Sequence, residues 1–343
     1  MSIVPQTVFV GLDYHAESVQ VCVLDRQGKQ LANRSCRNEW RAVQQVVGRV
    51  CGKEVPVQAA IESCCGAANL ADELISCAKW SVDLAHPGYV ARMKQSPDKT
   101  DYSDARMLAD LERVGYLPRV WLAPEEVREL RRLVRYRQTL VQEQRTLKLR
   151  IGAALREARQ HPPRDLNAWT KAWVAWVRSA THLSPNARLV VERQLARLAA
   201  LRQEIQEVEE LLEEQTQHDP LVQKLRAQPG IGLITAATIR AEIGRFDRFR
   251  SGKQLARFCG LSPRNASSGQ RQADAGLIKA GNRQLRTVLI EAAHRLMRYD
   301  ERWLKLNHKL RFRGKPGSVV AAAVANRWVR GLFHQMQPAN LAA

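Results

Sequence analysis

The sequence of 343 residues predicts an α/β amino-terminal domain, then a helical coiled-coil arm and a mainly α-helical carboxy-terminal domain. Three observations lead to this prediction. Short β-branched runs alternate with helical spacing up to about residue 122, a long stretch without strand-like runs follows, and helical segments broken by glycine and proline complete the chain. We therefore divide the chain into residues 1–122, 123–220 and 221–343.

Charge points to an acidic polymer as the partner. Lys and Arg number 54 against 34 Asp and Glu, a formal net charge of +20. Because phosphate neutralisation dominates nucleic-acid affinity, this balance is typical of a nucleic-acid-binding protein. A membrane surface is the rival partner, but neither end of the sequence shows a basic amphipathic helix or a lipidation signal. No apolar run approaches the roughly 18 residues of a membrane span. Seven cysteines without CxxC spacing favour reduced thiols in a cytoplasmic protein.

The first domain begins with strands. Residues 7–13 and 18–24 predict two strands joined by a tight turn, and residues 25–28 predict a hairpin turn to a third strand near residue 30. A helix, a strand, a helix and a strand follow, over residues 39–50, 55–61, 67–78 and 81–84. This order predicts a mixed sheet.

Two pairs of acids are candidate site residues. Asp13 ends the first predicted strand and Glu62 follows the fourth, and sites in open α/β sheets form at the carboxyl ends of strands. Asp101 and Asp104 are three residues apart, so they share one face of a helix. Four carboxylates around one cavity repel each other unless metal ions compensate them, and a two-metal site for phosphodiester chemistry is the natural use. The alternative is that each acid is only a turn or cap residue.

The middle of the chain predicts two long helices of opposite charge. Residues 125–154 are basic with one apolar seam, whereas the seam from Leu201 to Leu212 is flanked by glutamates. We expect an antiparallel arm that dimerises, and an intramolecular bundle is the alternative. Between the helices, three tryptophans at helical spacing indicate core packing, with base stacking as the alternative: Trp169, Trp173 and Trp176.

The last domain concentrates glycines, hydroxyls and cations. Residues 228–232 resemble a helix-hairpin-helix turn that approaches a phosphate, although a plain helix–helix turn explains the glycines equally well. The candidates for neutralising phosphate in nucleic acid lie mostly in residues 260–286, and one precedes the second acidic pair: Arg264, Arg271, Lys279, Arg283, Arg286 and Lys99.

Three motifs carry a resemblance to a known family: Val10-Gly11-Leu12-Asp13, Ile61-Glu62-Ser63 and Lys99-Thr100-Asp101-x-x-Asp104-Ala105. They resemble the ribonuclease H-like fold and RuvC-like resolvases. More closely, the chain is similar to the DEDD transposases of insertion sequences guided by bridge RNA. The third motif is specific for that family, whereas a lone Gly-Leu-Asp is not. Residues 83–95 match the family's loop leading into the acidic helix, and the resemblance covers nearly the full chain.

The resemblance implies roles for particular residues. Asp13, Glu62, Asp101 and Asp104 would hold Mg²⁺, and Ser268 would be the nucleophile that attacks a DNA strand, with Ser267 as the adjacent alternative. A composite active site would join the acidic domain of one subunit to the serine domain of another. The homo-oligomer, a dimer assembling to a tetramer, would act on donor and target DNA with a structured non-coding guide RNA.

The predicted function is therefore an RNA-guided DNA transposase that is cytoplasmic and associated with the nucleoid. The chain departs from the family pattern at residues 273–275 and at Ala280, where more cations and hydroxyls are expected. Individual phosphate contacts thus stay open. The first rival is a metal-dependent junction resolvase without serine chemistry. The second is a non-catalytic RNA-binding scaffold.

Overall fold

The computed structural model describes residues 7–52, 55–93, 100–179, 182–265, 274–278 and 280–337. The chain forms two compact units, Met1–Ala123 and Pro124–Ala343. The predicted mixed α/β first domain and mostly helical remainder are confirmed. The separation of the second unit into an arm and a last domain stays a prediction.

The first unit is built around a six-stranded sheet. Its strand order is β3-β2-β1-β4-β5-β6, and β4 runs parallel to β1 and β5 while the other neighbours are antiparallel. The elements are β1 (Val8–Tyr14), β2 (Ser18–Leu24), β3 (Gln30–Arg37), α1 (Trp40–Cys51), β4 (Val57–Glu62), α2 (Ala67–Ser76), β5 (Ser81–Ala85), α3 (Pro87–Met93), α4 (Asp101–Arg113) and β6 (Arg119–Val120).

One predicted loop is partly regular structure. Within residues 83–95, which the resemblance implies to be a loop, the described part holds the end of β5 and the helix α3. Pro87 is the first residue of α3, where proline is tolerated because its missing N–H would have no partner within the helix. The Val90 side chain of α3 is fully buried in a cluster with Leu108 and Leu117, so packing stabilises this short helix.

The two faces of the sheet are covered differently. Side chains alternate along a strand, so Leu12 of β1 packs in the cluster that contains α1 and α2, whereas Gly11 lies against α4. A β-carbon at Gly11 would lie 1.8 Å from the carbonyl oxygen of Ala105, so α4 approaches β1 as closely as a glycine allows. Asp13, two residues after Gly11, is thereby directed to the α4 side of the sheet.

The second unit is mostly helical. Its elements are α5 (Glu125–Glu157), α6 (Lys171–Ser179), α7 (Pro185–Thr216), α8 (Pro220–Arg226), α9 (Leu233–Ile243), α10 (Gly252–Phe258), β7 (Pro263–Asn265), β8 (Asp274–Leu277), α11 (Arg283–Tyr299), α12 (Glu301–Phe312) and α13 (Gly317–Gln335). The pair β7 and β8 and the helix α10 were not predicted. Among the described helices, none combines the length and the apolar character needed to cross a membrane.

The two long helices pair within the chain. Glu126 near the start of α5 and Gln215 near the end of α7 line one hollow, and further along Arg137 binds Glu209 at 2.7 Å. The helices are therefore antiparallel. Their buried seam includes Leu140, Leu147, Val208 and Leu212. A coiled-coil arm that dimerises stays a prediction.

The three tryptophans pack in the core of this helical pair. Trp173 is 3% exposed, and its ring centroid lies 4.3 Å from that of Trp169 and 6.2 Å from that of Trp176. Trp169 lies before α6 rather than on it, with a φ angle of 70°. Their burial supports the core interpretation over base stacking.

Candidate functional site

The acidic helix α4 begins with a cap that neither aspartate supplies. The hydroxyl of Thr100 accepts a hydrogen bond from the backbone nitrogen of Ser103 at 3.2 Å, which forms a capping box with the Ser103 side chain. Asp101 and Asp104 in the first turn gain from the helix dipole but are not needed as caps. The capping role thus belongs to Thr100 and Ser103.

Side-chain hydrogen bonds fix the start of α4 on the sheet. The Asn33 amide of β3 donates to the backbone oxygen of Tyr102 at 2.9 Å, and the Gln30 amide donates to the Tyr102 hydroxyl at 2.5 Å. Gln20 of β2 in turn donates to Asn33 at 2.7 Å, and Gln20 is the residue opposite Asp13 in the β1–β2 register. The first turn of α4 is therefore held beside the end of β1.

Matching periodicities bring the acids together. Asp101, Ala105 and Ala109 recur every four residues on one face of α4, and Ala105 and Ala109 both face Gly11. Gly11 and Asp13 are two apart on β1, so both point to that helix. Asp101, one turn before Ala105, consequently lies beside Asp13 across the α4–β1 contact.

The structure adds His15 to this pair. Its Nε2 lies 3.3 Å from an Asp13 carboxylate oxygen and 3.2 Å from an Asp101 carboxylate oxygen. The three ligand atoms all lie within 4.8 Å of one another. The Asp13 side chain is 17% exposed and that of Asp101 is 61% exposed, so the cluster is open on one side to solvent.

The electrostatics of Asp13 reflect this crowding. Burial raises the pKa of Asp13, and the carboxylates of Asp101 and Asp104 raise it further, while His15 lowers it. A carboxylate that is both desolvated and surrounded by other carboxylates requires positive charge for its ionised form. The donor set therefore fits a divalent cation.

The other two predicted ligands lie on the same side of the sheet. Asp104 is buried, at 8% exposure, and its charge acts on Asp13. Glu62 is the last residue of β4, two after Ala60, which packs with Leu108 of α4. Within the described residues the cluster of ligand atoms inside 4.8 Å contains neither of these acids.

The Cys64 thiol lies near enough to both Glu62 and Asp13 for their charges to act on it. Burial raises the pKa of the Cys64 thiol, a backbone hydrogen bond at Ala67 lowers it, and the charges of Glu62 and Asp13 raise it again. Glu62 and Asp13 thus act on one thiol, as expected for acids at the ends of adjacent parallel strands. That the four acids hold metal together stays a prediction.

His15 is the site residue that sequence reasoning missed. It was assigned to the tight turn after the first strand, and its backbone nitrogen does donate to Ser18 at 2.9 Å while its carbonyl accepts from Asn38 at 2.9 Å. The period of two from Gly11 through Asp13 to His15 was the available signal, because it directs all three to α4. The turn therefore fixes His15 without removing it from the site.

The predicted serine nucleophile falls on residues that the structure does not describe. Ser267, Ser268, Arg271, Lys279 and Lys99 all lie outside the described residues. Three of the predicted cations lie among the described residues. Arg264 and Arg283 are exposed, whereas the Arg286 guanidinium donates to the backbone oxygen of Ile278 at 3.2 Å.

The chain on either side of this segment is firmly held. A β-carbon at Gly281 would lie 2.4 Å from the Cα of Gly260, so the two backbones touch. Asn282 caps α11 by accepting from Leu285 at 3.0 Å and donates to the buried Glu242 at 2.8 Å. Glu242 is also bound through both oxygens by Arg135, at 2.8 and 3.0 Å. The strands β7 and β8 thus emerge from a rigid base.

Two family models match the chain. Residues 222–309 match the model described as the transposase IS116/IS110/IS902 family. Residues 10–159 match a second transposase model, that of the DEDD transposases of IS110 elements. The first range includes the segment around Ser268, and the second includes all four predicted acids.

Several curated proteins are similar to the chain. The putative transposase y4qE of Sinorhizobium fredii is 32% identical over 60% of this chain, which spans half of that relative's length. The transposase for insertion sequence element IS1111A of Coxiella burnetii is 27% identical over 92% of this chain and 86% of its own. A probable family 20 transposase of Pseudomonas aeruginosa is 29% identical over 94% of this chain and 95% of its own.

Proposed function

We propose that the chain, which matches two transposase family models over residues 10–159 and 222–309, recombines DNA through a divalent-cation site and a serine nucleophile under the direction of a guide RNA. The observation that carries the metal part is the cluster of Asp13, His15 and Asp101, whose ligand atoms lie within 4.8 Å of one another. The sheet of the first unit would correspond to a ribonuclease H-like fold.

The cation site would use the four predicted acids and His15. Asp13 and Asp101 would be the inner ligands, with His15 beside them and Asp104 and Glu62 completing the negative charge. Mg²⁺ is the cation that the resemblance implies, and oxygen-rich donor sets suit it. A divalent cation in such a site polarises a phosphoryl oxygen and neutralises the charge that develops on it.

The serine step is proposed for Ser268. Its hydroxyl would attack a scissile phosphodiester, form a serine–phosphate ester and release a deoxyribose hydroxyl, with the serine proton passing to that leaving oxygen by way of a base. A hydroxyl of another DNA end would then attack the ester, rejoin the strands and release the serine. Each step exchanges one phosphate ester for another, so the energy of the DNA bond is conserved.

Guide RNA, assembly and location belong to the same proposal. Base pairing would select the donor and target sequences while the protein reads backbone and shape. The net charge of +20 supports the binding of both DNA and RNA. The subunits would form a dimer that assembles to a tetramer and acts on the bacterial chromosome in the cytoplasm.

Paired serine variants test the nucleophile. With donor DNA, target DNA and the transcript of the flanking non-coding region, Ser268→Ala should abolish both recombination and the covalent protein–DNA adduct. Ser267→Ala is the matched control and should retain both. If strand cutting persists in Ser268→Ala and no adduct forms in the wild type, the protein is a junction resolvase.

An acid variant tests the metal site separately. Asp101→Asn keeps the size of the side chain and removes its charge, so divalent-cation binding measured by calorimetry and recombination should both be lost. Unchanged recombination with this variant would indicate the non-catalytic scaffold. Omission of the flanking transcript should stop recombination by the wild type, and recombination without it would remove the guide from the proposal.

A further inference from the structure

A hollow of about 680 Å³ in the second unit is lined by cations and, among the described residues, by no carboxylate. We call it the basic hollow and define it by Arg250, Lys253, Arg302, Arg327, Arg330 and His334. We propose that the basic hollow binds the phosphodiester backbone of nucleic acid. None of these residues belongs to the acidic cluster.

The arginines and the lysine of the basic hollow lack compensating negative charge among the described residues. Arg250, Lys253, Arg302, Arg327 and Arg330 are exposed, and none of them forms an ion pair with a carboxylate of the described residues. Elsewhere in the same unit exposed cations do pair, for example Arg178 with Glu192, Arg226 with Glu213 and Lys305 with Glu301. Like charges left together repel each other, so their collection in one concave surface calls for an anionic partner.

The helix α13 forms one wall of the basic hollow and presents a row of cations. Arg327, Arg330 and His334 of α13 are three and four residues apart, so they lie along one face. Seven residues of α-helix rise about 10 Å. Phosphates follow one DNA strand at about 3.4 Å of axial rise each, so the row spans about three phosphate-to-phosphate steps.

Two glycines make room between the cations. A β-carbon at Gly252 would lie 2.8 Å from the backbone oxygen of Arg330, so the start of α10 touches α13 and brings Lys253 next to that row. A β-carbon at Gly331 would meet nothing within 4 Å, so the surface beside Arg330 is open. An extended polyanion can therefore approach the helix backbone there.

Arg302 lies in the first turn of α12, after the capping residue Asp300, where the helix dipole disfavours a cation. Its guanidinium stacks over the ring of the buried Trp303 at 4.8 Å, and this contact fixes the charge at the basic hollow. A phosphate bound there would offset the unfavourable interaction with the dipole.

A triple variant tests the inference, which rests on the proposed function only in assuming that the chain binds nucleic acid. Arg250→Gln, Lys253→Gln and Arg330→Gln together should lower affinity for labelled duplex DNA at least about tenfold, measured by fluorescence anisotropy across potassium chloride concentrations. The slope of log affinity against log salt should fall by about 2 to 3, since each lost phosphate contact removes about 0.9. Arg145→Gln, Arg193→Gln and Arg197→Gln, three exposed cations of α5 and α7, form the control, and an equal loss of slope there would overturn the inference.

Gly331 allows a second test that leaves every cation in place. Gly331→Glu adds a carboxylate to the basic hollow, and Gly331→Gln adds the same shape without charge. We expect weaker nucleic-acid binding from the first alone, with helix content unchanged by circular dichroism. Equal binding by both variants and the wild type would overturn the inference.

Three probes distinguish the ligand, and one variant separates this inference from the proposed function. Duplex DNA, single-stranded RNA and the structured flanking transcript share the phosphodiester backbone, and the triple variant should weaken at least one of them. Loss of binding to anionic vesicles alone would instead indicate a membrane surface and overturn the inference. The triple variant should keep wild-type binding of divalent cations by calorimetry, so a failure of either site leaves the other measurement intact.

Discussion

Gly11→Ala tests the contact on which the acidic cluster depends. The added β-carbon would lie 1.8 Å from the carbonyl oxygen of Ala105 and 2.5 Å from the backbone nitrogen of Ala109. Ordinary contact begins at 3.4 Å, so α4 must move away from β1 by about 1.6 Å. The first obstacles are backbone atoms, which cannot rotate aside as a side chain can.

The cost of this substitution can be bounded from general behaviour. Overpacking of a core typically costs about 1 to 3 kcal/mol when neighbours yield, and we expect about 3 kcal/mol or more here because a helix must shift as a body. The displacement also separates Asp101 from Asp13 by far more than the roughly 0.2 Å tolerance of a metal site. Metal binding should therefore weaken even in the molecules that remain folded.

Hydrogen exchange read by mass spectrometry localises the effect, and calorimetry measures cation binding. Amides of β1 and α4 should exchange faster in Gly11→Ala, and those of α5 and α7 should not change. Gly48→Ala in α1 is the matched control, since nothing lies within 4 Å of its β-carbon and helix propensity should stabilise it by about 0.5 to 1 kcal/mol. Wild-type exchange and wild-type cation affinity in Gly11→Ala would refute the close α4–β1 contact.

Two further predictions concern His15 and Glu112. His15→Ala should weaken Ni²⁺ binding about tenfold or more and change Mg²⁺ binding much less, because imidazole suits Ni²⁺ whereas Mg²⁺ prefers oxygen ligands. His86→Ala is the control. An equal loss of binding for both ions in His15→Ala would count against a nitrogen ligand. For Glu112, burial raises the pKa above its ordinary 4.5 and Arg119, at 2.8 Å, lowers it less. Between the unfolded-state and folded-state pKa values the folded chain binds more protons than the unfolded chain, so this group's contribution to stability is greatest below pH 4.5 and falls as pH rises through the folded-state pKa. The difference in unfolding free energy between the wild type and Glu112→Gln should change in that direction in denaturation at several pH values, and a constant difference would contradict a raised pKa.

The strands that carry the acids could be predicted because their pattern is local. β-branched runs around residues 8–14 and 57–62 fix strands by composition, and the position of Asp13 and Glu62 at their ends follows from counting. His15 could not be assigned to the site in this way. Its partner Asp101 is distant in sequence, and the period of two from Gly11 to His15 gives the side of the sheet but not the contact with Asp101.

The elements that were missed are short and depend on tertiary contacts. The seven-residue helix α10 begins at Gly252, whose fit against Arg330 of a distant helix gives it a place to pack. Local propensity does not contain that contact. Glu242 and Glu112 were missed for a related reason, because an acid within a helix is expected to be solvated unless its burial and its arginine partner are known.

The motif from Thr100 to Ala105 shows how one short segment separates structural and chemical tasks. Thr100 caps the helix, so the aspartates are released from that role. Ala105 is small enough to lie on Gly11, and its distance of four residues from Asp101 places that carboxylate one turn away, beside Asp13. Replacement of Ala105 by a larger residue would push α4 off β1 as surely as a side chain at Gly11. The alanine and the glycine therefore determine where the carboxylates lie, although neither can bind a cation.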